Sequence, residues 1–154
     1  VAVLVVYPVL AGLAAWATTL AITGAYGDQF WEVTGLASLA TLAVGAPLAA
    51  AARLLGPAGL GLGALVLGPV SLVSSGGPVG SHLLPDFYRA LSPWMPATEA
   101  YSALRGSLFF VGAGTAEPVA LLATWSLAGI ALLILFDLVL SRRRGATDRP
   151  AAGS

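Results

Sequence analysis

The chain has no cysteine and no lysine, one histidine, one methionine and few charges of either sign. Missing cysteine excludes disulfides and thiolate metal sites. Missing lysine excludes a Walker A phosphate loop, in which a lysine reaches the nucleotide phosphates. A metal centre needs several His, Cys, Asp or Glu ligands; His82 and scattered carboxylates do not supply them, and no cofactor is expected. Charged residues are 9% of the 154 positions, against about 25% in soluble domains. That is too few to cover a globule with polar surface. Seven arginines balance seven acidic residues, so no basic surface points to nucleic acid.

What fills the chain instead is apolar: 58% of residues are hydrophobic. Four uncharged stretches approach or exceed the roughly 20 residues needed to cross a bilayer core: 1–27, 33–52, 54–84 (past Arg53, though rich in Gly and Pro) and 118–136. Backbone groups in lipid must pair within their own segment, so each is expected to be helical, near 2–24, 31–54, 57–75 and 117–140. The expected fold is all-α, a polytopic transmembrane helix bundle of four spans plus two short extracytoplasmic interfacial helices. Residues 1–141 form the transmembrane domain, 76–116 its outer connection, and 142–154 a basic, disordered cytoplasmic tail. The chain starts on Val and enters an apolar run without a charged leader, so it does not read as a signal peptide. It reads as the C-terminal membrane part of a longer protein.

Arginine placement sets the orientation. Arg142, Arg143 and Arg144 follow the last span, which predicts a multi-pass plasma-membrane protein with a cytoplasmic C-terminus. Counting back, Arg53 is also cytoplasmic, and Asp28 and Glu32 lie outside. Tyr26, Phe30, Trp31, Trp94 and Tyr101 fall where interfacial rings prefer to sit. Small residues let helices approach in lipid. Ala37, Thr41, Gly45 and Ala49 make one such stripe, and Gly59 and Gly63 another; these are candidate packing faces within the bundle or in a homo-oligomer. Pro8, Pro47 and Pro69 invite kinks.

The richest stretch is "SSGGPVGSHLLPDFYRALSPWMPATEAYSALRG", from Ser74 to Gly106. Gly76, Gly77 and Pro78 break the third span near Ser75. Pro85 and Asp86 suit a helix start, with Asp86 and Arg89 three apart. Pro93 and Pro96 flank Trp94 in a second break. A further helix then begins, with Pro96 in its first turn and Glu99 at its positive end. Tyr101, Leu104 and Leu108 share one apolar face, with Ser102 and Arg105 off it. The connection is therefore two short helices at or dipping into the outer membrane face, either a cap on the bundle or a lid over a pathway. Glu99 and Arg105 are charges that must meet water, a partner or that pathway. Ser81 beside His82, with Ser74 and Ser75, does not make a hydrolase, because all four share one flexible connector. Asp137 is expected to join an interfacial ion network with Arg142 and Arg144.

The order of these breakers resembles a known family. "LGPVSLVSSGGPVGSHLLP", then "FYRALSPWMPATEAYSALRGSLFF", then one last span with a basic tail, is similar to the C-terminal membrane region of ABC type-2 transporter permeases. The nearest likeness is to the phage-infection-protein (Pip/YhgE-like) branch. The motifs cover about Leu67 to Phe110. The resemblance implies a six-span permease whose last spans are joined by outer helices. It implies export driven by a separate ATPase subunit or, in the Pip-like branch, a membrane anchor for a large external domain with a secretion-associated or phage-receptor role. The chain departs from the pattern in having four spans and no amphipathic coupling helix, "RLLGP" at Arg53 to Pro57 being very short. Its expected role is to contribute pathway helices and an outer lid, without covalent chemistry of its own.

Overall fold

The computed structural model describes residues 2–24, 27–76, 84–110, 112 and 114–147, and the side chains of 4–140 within them. All regular structure among these residues is helical. Helix α1 is Ala2–Thr23. A 3-10 turn at Gly27–Gln29 leads into α2, Phe30–Leu65. A π turn at Val66–Val70 and the short α3, Ser71–Ser74, continue it. Then come α4, Asp86–Leu91, a 3-10 turn at Ser92–Trp94, α5, Pro96–Phe109, and α6, Ala116–Thr147. Three helical stretches are long and apolar enough to cross a membrane: Leu4–Thr23, Gly27–Ser74 and Ala116–Leu140.

The middle stretch is not straight. Gly56 sits at φ +63°, ψ −143°, a backbone state open in practice only to glycine. The proline after it lacks an N–H to continue the helix. The chain reverses there. A Cβ built on Gly63 would lie 4.0 Å from the Leu48 Cα, whereas fifteen residues of straight helix would hold these positions about 22 Å apart. Gly59 presses on the Ala51 carbonyl, so the glycines of the second arm of α2 touch Leu48 and Ala51 of the first. The π turn coincides with Pro69; a missing donor inside a helix is a common cause of such a turn. Pro47 causes no break in the backbone dihedrals of α2.

Packing is by small residues. The first arm of α2 packs against α1 on one side and α6 on the other. Ala43, Ala46 and Ala50 of α2 are fully or nearly fully buried, as is Leu122 of α6. At Gly129 a Cβ would come within 2.5 Å of the Pro47 nitrogen, so α6 and α2 meet backbone to backbone. Gly12 of α1 approaches the Thr34 carbonyl and Ser38 of α2 in the same way. Large apolar side chains point outward: Leu55, Leu62, Leu127 and Leu135 are each about 60% exposed or more. Small inside and large outside is the pattern of a bundle solvated by lipid, where helices gain by close approach rather than by hiding leucine from water.

One expectation is corrected at the end of α6. Helix α6 runs on through Thr147, so residues 142–147 are helical where a disordered tail is expected; 148–154 lie outside the described residues. Arginine near a helix C-terminus offsets the helix dipole, and nothing in "SRRRGAT" breaks a helix before Thr147. For Asp137, the expected partners Arg142 and Arg144 have side chains outside the described residues. Its carboxylate pairs with the Arg53 guanidinium at 2.5 Å, because the first arm of α2 packs along α6, with Pro47 against Gly129, and carries Arg53 to the level of Asp137.

Candidate functional site

Among the described residues, the outer connection is built against the bundle rather than free of it. The α2 hairpin delivers α3, which ends at Ser74; Gly76 follows at φ +62° and its N–H bonds the Val73 carbonyl at 3.2 Å. This is a left-handed glycine at a helix end. Gly77, Pro78, Ser81 and His82 lie outside the described residues, as does Tyr26. Pro85 precedes α4, and Asp86 pairs with Arg89 inside it. Pro93 shapes the 3-10 turn, and Pro96 opens α5 with less than 2% of its surface exposed.

Two hydrogen bonds fix the entry to α5. The Ser71 hydroxyl, fully buried on α3, accepts from the Ala97 N–H at 3.1 Å, taking up one of the free donors at a helix start. The Trp125 indole Nε1–H of α6 donates to the Trp94 carbonyl at 3.0 Å. Trp125 lies nine residues into α6, about 13 Å along its axis. At the other end of α5, Ser107 shares a groove with Trp31, Glu32 and Thr115, at the N-terminal ends of α2 and α6. Helix α5 therefore runs from a point about nine residues along α6 up to the end of the bundle where α2 and α6 begin, packed on α6, α2 and α3.

The buried face of α5 is Pro96, Glu99, Ala103 and Gly106. Tyr101 and Arg105 are exposed, and Leu104 and Leu108 are partly so; all four line an outward groove. The apolar face of this helix thus points away from the protein, and the face carrying a carboxyl points in. Glu99 keeps only 8% of its surface exposed. Burial, and secondarily the nearby Glu117 carboxylate, push its carboxyl above the ordinary carboxylate range. Arg105 does not pair with it; its guanidinium stands 5.6 Å from the Phe110 ring centroid, within cation–π range. Trp94 is 67% exposed, and its carbonyl accepts from Trp125 of α6.

Of the residues expected to pack helices, Gly59 and Gly63 meet the preceding arm of α2. Thr41 bonds back to the Ala37 carbonyl at 2.7 Å and, with Gly45, lines a cleft beside α1. Ser71, Gly12, Gly129 and Trp125 were not among the expected site residues, and Ser74 entered only as part of the rejected hydrolase group. The signal for the serines was there: two hydroxyls three apart on an apolar helix share a face. Ser74 Oγ is buried and has no hydrogen-bond partner among the described residues. No group of three or more potential metal ligands occurs among the described residues. No family model, curated protein or solved structure matches the chain.

Proposed function

We propose that the chain is the membrane-embedded part of a transport-type permease, of the ABC type-2 exporter kind that its breaker order resembles. In this reading Gly27–Ser74 crosses the bilayer twice, giving four crossings with both termini of that hairpin outside and the C-terminus cytoplasmic. The segment from α4 to α5 is a re-entrant outer gate. Energy comes from a separate ATPase subunit. The observation that carries the reading is the insertion of α5 among α2, α3 and α6, pinned at Ala97 and Trp94 with Glu99 on its buried face. A depth of about 13 Å is close to half of a 30 Å hydrocarbon core. Two neutral hydrogen bonds tie the entry, each worth about 1 kcal/mol net, and an outward swing must also undo the packing of Pro96, Glu99, Ala103 and Gly106 against the bundle, work that the separate ATPase subunit would supply. A pure anchor gains nothing from burying a carboxyl, which is costly at membrane depth.

Single cysteines can be introduced without background, since the chain has none. Asp28→Cys and Leu84→Cys should react with an impermeant thiol reagent from the same side, and Leu55→Cys and Thr147→Cys from the other. Opposite-side labelling of Asp28→Cys and Leu84→Cys would sink the double crossing. The gate is tested in native membrane vesicles with Ser74→Cys. Its labelling should change between ATP-free vesicles and vesicles trapped with ATP and vanadate. Identical labelling in both states would favour an anchor without a moving gate, as in the Pip-like alternative.

A further inference from the structure

Helix α1 is pinched onto α2 at Gly12 and diverges below that point. The divergence opens a cleft between α1, the first arm of α2, and α6. One lobe has a volume of 390 Å³ and runs from Leu39 to Arg53; a second lobe of 420 Å³ continues it around Leu4 and Pro8 to Thr41 and Gly45. The walls are aliphatic side chains such as Leu42, Ile130 and Leu133, and the charged groups lining the cleft, Arg53 and Asp137, stand together at one end.

We infer that this cleft is a binding site for an anionic phospholipid of the cytoplasmic leaflet, with one acyl chain in the cleft and the phosphate on Arg53. Shape favours a lipid chain over a protein segment. Fourteen residues of helix between Leu39 and Arg53 make the lobe about 21 Å long, rather more than the ~15 Å of one leaflet's hydrocarbon. Spread over that length, the two lobes of 390 and 420 Å³ leave an average cross-section of about 39 Å². A helix with its side chains is at least ~10 Å across and needs about twice that area; a hydrocarbon chain does not. Charge favours an anionic head. Arg53 uses one Nη1–H on Asp137 and is 57% exposed. A guanidinium has five N–H donors in a fork suited to phosphate. Cytoplasmic leaflets are rich in anionic lipid, and basic pockets between helices on that side bind their head groups.

The inference rests on the orientation proposed above. A wrong orientation would show in the cysteine labelling and leave lipid binding in detergent untouched, so the two can fail separately. The full chain, delipidated in a nonionic detergent, is titrated with dioleoyl phosphatidylglycerol or dioleoyl phosphatidylcholine and read by native mass spectrometry. Wild type should retain a single phosphatidylglycerol in preference to phosphatidylcholine. Arg53→Gln should lower that retention about tenfold, the scale of one lost charged hydrogen-bonding partner. Asp137→Asn should raise it, because the guanidinium loses its competing carboxylate. Gly45→Leu, at a position where an added Cβ meets open space, should reduce retention of both lipids while the helical signal is unchanged. Equal retention of the two lipids by wild type would overturn the site, and so would loss of binding in Asp137→Asn. A lipid-free dimer that Gly45→Leu dissociates would instead assign the cleft to a second copy of the chain.

Discussion

Replacing Gly129 with alanine puts one methyl group where α6 and α2 touch. That carbon would lie 2.5 Å from the Pro47 nitrogen, 2.6 Å from the Ala46 carbonyl carbon and 2.7 Å from the Pro47 ring. None of these atoms is the end of a flexible side chain, so the helices must part. Restoring ordinary separations of 3.5–4.0 Å takes about 1 Å, enough to forfeit a quarter to a half of each neighbouring dispersion contact. The contacts at risk are those of Ala43, Ala46, Ala50 and Leu122, the most buried apolar residues of this interface. Overpacking of this kind costs about 1–3 kcal/mol, and the better helix propensity of alanine returns up to about 1 kcal/mol. The expected net loss is about 1–2 kcal/mol. Gly45→Ala is the control, since an added Cβ there meets nothing within 4 Å. It should be neutral or stabilising by up to about 1 kcal/mol. The assay is reversible unfolding in mixed micelles, titrating a denaturing detergent and following helicity. Equal effects of the two substitutions would refute the packing argument, because propensity alone would then account for both.

Ser71→Ala and Trp125→Phe each remove one tie to the entry of α5 and should each cost about 1 kcal/mol, with faster amide exchange at Ala97 after Ser71→Ala; unchanged exchange would mean the cap is not formed in solution. Glu99 gives a pH dependence whose sign follows from its raised folded value. Its contribution is fully present below the ordinary carboxylate range and is lost as pH rises through the folded value, because the unfolded chain gives up the proton first. Glu117 on α6 opposes its ionisation, and Arg105 is turned to Phe110. Glu99→Gln should therefore raise the unfolding midpoint at neutral pH and leave it unchanged below about pH 4; a loss at neutral pH would contradict the buried assignment. The Arg53–Asp137 pair is more than half exposed on both sides, so a double-mutant cycle should return a coupling below about 1 kcal/mol. A larger value would mean that the pair sits in a drier setting than its exposure indicates.

Composition and breaker placement carry far in this chain. Uncharged runs mark where helices must form, and glycine and proline mark where they must stop. The reversal at Gly56 and the break after Ser74 are both local chemistry: a backbone state only glycine tolerates, and a proline without a donor. Which faces meet is less legible. The stripe of Ala37, Thr41, Gly45 and Ala49 obeys the same small-residue rule as Ala43, Ala46 and Ala50, yet the structure buries the second set most deeply and leaves Thr41 and Gly45 on a cleft. In an Ala- and Gly-rich helix several faces are small, and the partner decides between them.

The same division holds for the outer connection. That "LPDFYRALSPWMPATEAYSALRG" forms two short helices with a break at Trp94 is legible from residue order, since prolines at helix starts act within a few residues. Residue order did not determine that the second helix turns Glu99 inward and Tyr101 outward. That depended on Ser71 and Trp125, which lie 26 and 31 residues away from their partners, and on a hairpin and a last helix already in place. The Arg53–Asp137 pair spans 84 residues for the same reason. Backbone sterics and hydropathy are local and can be read from a string. Contacts between distant residues exist only after close helix packing has fixed which faces are brought together.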